Sequence, residues 1–170
     1  MLKAGLHMDV RPAADAESDI VDALLAAAYA GVIARMPAED GRAFAAVLPS
    51  ARAKYAEHGT WLVAISEEGI CGCVAYFAPN STQHPLFTGN SAHIQLLGVA
   101  PARRAAGIGR MLMERCLAMA KADGAADLLL QTSELMPEAR RLYESLGFEV
   151  RATLPPVWGH PTYLYAKGEA

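Results

Sequence analysis

Between Leu96 and Leu112 the chain reads LLGVAPARRAAGIGRML, a run of β-forming residues that empties into a glycine-bearing turn and then into a helical pattern. A strand that feeds a helix through so short a turn points to a layered α/β arrangement, in which the helix buries an apolar stripe against a sheet. The helix is expected from about Gly107 to Ala122, with Ile108, Leu112, Cys116 and Met119 inward at steps of four, four and three. The first turn of a helix has unpaired N–H groups and a partial positive charge, and so binds phosphate. Gly107 and Gly109 allow close backbone approach, and Arg103, Arg104 and Arg110 add charge. Taken alone, the same residues also read as a tight turn with solvated arginines.

The rest of the chain supplies the layers. A short strand is expected at Met8 to Pro12, preceded by an extension over residues 1–7. Two helices follow: Asp15 to about Ala30, on Ile20, Val21, Leu24, Leu25 and Ala28, and about Glu39 to Glu57, which Pro49 should kink or split. Thr60 to Ser66 and Ile70 to Phe77 read as a hairpin through Glu67-Glu68-Gly69, and His93 to Val99 as a further strand after the long, turn-rich Ala78–Ser91 stretch. Asp127 to Thr132, a helix after Pro137, and closing strands at Phe148 to Leu154 and Thr162 to Ala166 complete the order, with the loop Pro155–Pro161 between the last two. The expected fold is one α/β domain over residues 1–170, a mixed central sheet of about seven strands with helices on both faces.

Composition removes several classes of function. A chain of 170 residues suits one domain, and 53% hydrophobic against 19% charged residues can fill a core. A net charge of −3 argues against a nucleic-acid partner. No apolar stretch approaches the ~18 residues that span a bilayer, and the start lacks an apolar signal region, so neither a membrane nor secretion is expected. Three cysteines, Cys71, Cys73 and Cys116, are too few for a disulfide scaffold and fit a reducing cytoplasm. Cys71 and Cys73 would share a strand face, but no second Cys or His pair completes a zinc site, and His7, His58, His84 and His160 show no ligand spacing, so no metal is expected.

Two nucleotide motifs fail on the 96–112 segment. A Walker A loop needs a closing Gly-Lys-Ser/Thr, which is absent, and of the G-x-G-x-x-G dinucleotide fingerprint only Gly107 and Gly109 fit. A third pattern matches. Val99-Ala-Pro-Ala-Arg-Arg104-Ala-Ala-Gly107-Ile-Gly109-Arg resembles the acetyl-CoA signature R/Q-x-x-G-x-G/A of the GNAT N-acetyltransferase superfamily, preceded by V-x-P. Downstream, Ala139-Arg-Arg-Leu142-Tyr143-Glu-Ser-Leu-Gly147-Phe148 is similar to that family's closing helix, A-x-x-L-Y-x-x-x-G-F, and the element order matches over essentially the whole chain. Two departures stand out. Ala105 replaces a common glycine, which suits alanine only if its φ stays negative, and Met136 replaces a common asparagine that faces the cofactor.

The resemblance implies a GNAT fold and an acetyl transfer from acetyl-CoA to a primary amine by direct attack in a ternary complex. It implies that the pantetheine arm pairs with the strand at Leu97, Gly98 and Val99, and that Arg104, Ala105, Ala106, Gly107, Ile108, Gly109 and Arg110 cradle the pyrophosphate. Members usually bulge or splay this strand, so an N–H near Leu97 would point at the thioester carbonyl and stabilise the oxyanion. Tyr143 matches the family's proton donor to the departing thiolate, and its helical spacing also suits a core tyrosine. His93 matches a position where some members carry a catalytic base, sharing a regular strand's face with Gln95 and Leu97. Tyr29 is a candidate for the acceptor pocket, together with the two N-terminal helices, the Ala78–Ser91 loop and the Pro155–Pro161 loop. Tyr163 and Tyr165 read as packing or interface residues, and a homodimer is the expected assembly. The second reading is an acetyl-CoA-binding module of the same fold that acts as a sensor or assembly subunit without turnover.

Overall fold

The computed structural model describes residues 7–168. The expected N-terminal extension therefore lies, apart from His7, outside the described residues. In chain order the elements are β1 (Asp9–Pro12), α1 (Ser18–Ala34), α2 (Ala38–Ala56), β2 (Thr60–Ser66), β3 (Gly69–Phe77), β4 (Ser91–Val99), α3 (Ile108–Ala122), β5 (Asp127–Ser133), α4 (Pro137–Ser145), β6 (Glu149–Val157) and β7 (His160–Gly168). Short 3₁₀ turns at Asp15–Glu17 and Pro101–Arg103 precede α1 and α3. The strands form one seven-stranded sheet in the order β1-β2-β3-β4-β5-β7-β6. Every neighbouring pair is antiparallel except β4 with β5.

Each face of the sheet buries its own cluster. Ile108, Leu112, Met113 and Cys116 of α3 pack with Tyr143 and Leu146 against Leu62, Val74, Tyr76, Ile94 and Leu130. On the other face Val21, Leu24, Leu25, Ala28, Tyr29 and Val32 of α1 and Leu48 of α2 cover Trp61, Val63, Cys73, Ala75 and Phe77. These alternating strand residues, one set per face, are the period-two pattern of a sheet buried on both sides. α1 is apolar nearly all round because it lies between the sheet and α2.

Several local expectations change. α2 runs unbroken through Pro49, which is exposed together with Ala45, so the carbonyl freed by the missing N–H can be met by water. Cys71 and Cys73 do not share a face. The pairing jumps from Ala64↔Gly72 to Ile65↔Ile70, so Cys71 is an extra residue at a β-bulge and packs on the α3 side, while Cys73 packs on the α1 side. The Pro155–Pro161 loop is a tight hairpin, with Val157 paired to His160 and only Trp158 and Gly159 in the turn, both left-handed at φ 52° and 71°. Edge strand β6 tolerates Pro155 and Pro156 because its register on β7 shifts between Leu154 and Val157, which leaves both outside the paired ladder. The Ala78–Asn90 stretch folds onto the sheet, where Phe87 buries itself with Leu129, Leu164 and Ala166. Tyr163 and Tyr165 are used within the chain. Tyr163 donates to Glu134 at 2.7 Å, and the Tyr165 hydroxyl accepts from Arg140 at 2.9 Å and donates to Glu144 at 2.8 Å.

Candidate active site

Parallel strands β4 and β5 are joined only from Ser91↔Asp127 to His93↔Leu129. Beyond His93 they part, and among the described residues the β5-side edge of β4 has no strand partner as far as Val99. On the β3 side, pairing passes from Ala75↔Gln95 directly to Cys73↔Gly98. Leu96 and Leu97 therefore bulge, with Leu96 left-handed at φ 51°. Helix α1 closes over the bulge, and the Tyr29 hydroxyl donates to the Leu97 carbonyl at 3.1 Å. Gly98 permits this approach, since a Cβ there would lie 3.2 Å from the Ala28 Cβ.

After β4 the chain turns through Pro101–Arg103 and enters α3 with Gly107 left-handed at φ 79° as its N-cap. Among the described residues no side chain caps this helix end, so the first amides of α3 are free to meet an anion. The turn, the bulge, the last turns of α1 and the start of α4 enclose a cleft of about 540 Å³. Leu97, Gly98, Val99, Arg104, Ala105, Gly107, Ile108, Gly109 and Arg110 line it; Ala106 does not. Ala105 is left-handed at φ 63°, so the condition under which alanine would be comfortable there is not met, and the turn carries local strain.

The arginine side chains are largely engaged. Arg104 donates to the Ala28 carbonyl at 2.8 Å, Arg103 pairs with Glu68 at 2.6 Å, and Arg110 donates to Ser145 at 2.7 Å. The helix start and its glycine turn, more than free guanidinium groups, make the cleft an anion receptor. Arg35, at the end of α1, lines the same cleft and was not singled out by the sequence; no motif marks it, and only the tertiary packing of α1 brings it there.

Helix α4 forms the opposite wall through Met136, Glu138, Ala139 and Leu142. In place of a polar group facing a ligand, Met136 accepts a weak hydrogen bond from Thr132 Oγ1 to Sδ at 3.9 Å. Tyr143 follows Met136 by seven residues and Ala139 by four, on the same side of the helix. It is 4% exposed and packs near Phe148 and Tyr165, with centroids 6.0 and 6.3 Å away. Burial holds its phenol pKa well above the ordinary value, with Cys116 adding to the effect, and no hydrogen bond contributes. It is therefore a protonated donor at neutral pH, uncommitted to a partner among the described residues. Tyr29 lines the cleft, whereas Tyr143, like His93, is not among its lining residues; burial first, and next Tyr143, raises the Tyr29 pKa.

His93 is not where the sequence suggested. It is 3% exposed, stacked between Phe77 at 4.4 Å and Phe87 at 4.1 Å, and does not line the cleft. The bulge is the reason. His93 and Gln95 pair with Phe77 and Ala75 of the α1-side cluster, whereas Leu97 packs against the α3-side cluster. Burial, and secondarily His84, lowers the His93 pKa to about 4, so the ring is neutral at working pH and lacks the near-neutral pKa expected of a base. The unfolded ring titrates near ~6.5, so protonation favours the unfolded chain. The stability this contributes is present above pH ~6.5 and is lost as pH falls toward about 4, by about 3 kcal/mol. Denaturant midpoints measured across that window should flatten in His93→Leu, and any rising limb of kcat/KM near neutrality should persist; an unchanged stability slope would contradict this placement.

A family model described as an acetyltransferase (GNAT) domain matches residues 57–150. No curated protein matches the sequence. Among solved structures, PaiA N-acetyltransferase from Thermoplasma acidophilum, in complex with coenzyme A, is 14% identical with a TM-score of 0.76, the match covering 96% of this chain and 100% of that one. The ribosomal-protein-S18-alanine N-acetyltransferase from Escherichia coli is 16% identical, covering 95% and 94%, with a TM-score of 0.72. A GCN5-related N-acetyltransferase from Kribbella flavida is 21% identical, covering 95% and 98%, with a TM-score of 0.70. At such identities these structures speak for the fold alone.

Proposed function

The chain belongs to the GNAT acetyltransferase family, and from that premise we propose that it transfers the acetyl group of acetyl-CoA directly to a primary amine held beside it. The observation that carries this reading is the junction of an unpaired, bulged strand edge with an uncapped helix start in one cleft. The unpaired β4 edge can pair with the amide-bearing pantetheine arm as an added strand would. The α3 amides and the Gly107 turn suit the pyrophosphate. The Leu97 N–H, with no strand partner, suits the thioester oxygen.

In the step itself, the amine nitrogen attacks the thioester carbonyl and the C–N bond forms. Negative charge gathers on the oxygen beside the Leu97 N–H, a donor worth roughly 3–4 kcal/mol where such groups have been removed. The C–S bond then breaks and the sulfur takes the Tyr143 proton; the acceptor's surplus proton leaves to water, which returns one to the Tyr143 phenolate, since His93 is stacked between Phe77 and Phe87. The acceptor is a small-molecule or peptide amine, and the three buried, unbonded cysteines favour a reducing, cytoplasmic setting.

The test combines binding with turnover. Acetyl-CoA at a hundred times its Kd should stabilise the fold by about 2.7 kcal/mol, read as a rise in Tm. Thiol release should follow with one or more members of a panel of amino acids, polyamines, small amines and peptide N-termini. A Tm rise with no thiol release across the panel favours the binding-module reading, and no Tm rise overturns both.

A further inference from the structure

We infer that Tyr29 is a positioning residue of the acetyl-transfer site, its phenol fixing the β4 bulge so that the Leu97 amide faces the thioester carbonyl; this rests on the function proposed above. The bulge leaves Leu96 and Leu97 without Cα partners on either neighbouring strand. Their backbone orientation must therefore be set by something other than the sheet. The hydroxyl of Tyr29 supplies that restraint, meeting the Leu97 carbonyl at 3.1 Å. The N–H and C=O of Leu97 lie on adjacent peptide planes hinged at one Cα, so anchoring the carbonyl on α1 limits the rotation open to the amide.

Three further observations separate this from ordinary packing. First, the preceding residue on α1 is tied to the other end of the cleft, since the Ala28 carbonyl accepts from Arg104 at 2.8 Å. Consecutive residues of α1 thus hold both the bulge and the anion-binding turn. Second, the Tyr29 ring is set by an edge contact with Phe44 at 5.7 Å and 80°, so its hydroxyl is aimed rather than free. Third, Tyr29 lines the cleft itself. A phenylalanine would keep the packing and remove the donor from the half-buried Leu97 carbonyl, leaving it free to reorient with its peptide.

The experiment is Tyr29→Phe, followed by infrared difference spectroscopy of bound, carbonyl-labelled acetyl-CoA together with steady-state kinetics. In the wild type the thioester C=O band should move to lower frequency on binding. In Tyr29→Phe it should return toward the free position, with kcat down about tenfold or more while KM for acetyl-CoA and Kd for coenzyme A stay within about twofold. A folded variant with a wild-type band and kcat, or one that only loses Tm, overturns the inference, as does a wild-type band that never shifts although turnover proceeds. Failure of the wild type to bind acetyl-CoA would instead remove the proposed function, and this inference with it. If Tyr29→Phe does not fold, fluorotyrosine at position 29, a stronger donor, must move the band further; an unmoved band overturns the inference equally.

Discussion

Gly107→Glu should weaken acetyl-CoA binding at least a hundredfold and erase the Tm rise that acetyl-CoA gives the wild type, about 3 kcal/mol or more of lost binding free energy. Gly107 is the N-cap of α3, left-handed at φ 79°, and a Cβ placed there meets nothing within 4 Å. The added side chain thus has room, and the fold need give up only the roughly 1–2 kcal/mol that an L-residue loses in that conformation. The carboxylate brings the larger effect. It can itself take the α3 amides, and it stands where the proposed pyrophosphate must lie; two unit charges 4 Å apart near a protein surface repel by about 4 kcal/mol. Gly107→Asn separates the two causes, because asparagine tolerates left-handed φ and carries no charge. It should retain most of the affinity. Isothermal titration of both folded variants is the measurement, and wild-type affinity in Gly107→Glu would remove the α3 turn from the cofactor site.

That turn was legible because its signals are local. Glycines, a proline and a helical stripe act within one or two turns of chain, and Leu96–Leu112 accordingly announced both its strand and its helix. The bulge was implied only by the family resemblance and not by the residues themselves. Nothing in Leu96-Leu97-Gly98 marks a left-handed residue, and Leu96 adopts φ 51° only because the strand must pass from one register on β3 to another. The same displacement misled the reading of His93, since counting by twos along a strand fails across an inserted residue. Ala105 at φ 63° is held by the turn around it against its own preference. The arginines were seen as charges, and their partners Glu68, Ala28 and Ser145 come from elements far away in sequence. The acceptor side is the least legible part. The family match begins at residue 57 and ends at residue 150, leaving α1, α2 and most of the β6–β7 hairpin outside it. There Phe44 and Trp158 meet across 6.3 Å, from elements that share no motif.

Tyr143→Phe should lower kcat about a hundredfold or more, with acetyl-CoA affinity and Tm close to wild type. The ring packs beside Phe148 and Tyr165 and fills the same space without its oxygen. The hydroxyl contributes no hydrogen bond to the fold among the described residues, so removing it leaves no buried partner unsatisfied. Its raised pKa has a defined sign. Burial disfavours the phenolate, so the group is fully protonated through the neutral range, and the same shift makes it a weaker acid, whose proton moves only as charge builds on the sulfur of a departing thiolate. Loss of the donor should therefore cost most when the leaving group is most basic. An acetyl thioester whose thiol has a lower pKa than coenzyme A, turned over by the same cleft, should be hurt less by the substitution. A core tyrosine without a chemical role predicts no such dependence: equal small losses for both thioesters, or none. Wild-type kcat in a folded Tyr143→Phe would assign this residue to packing alone and leave the thiolate to be protonated by water.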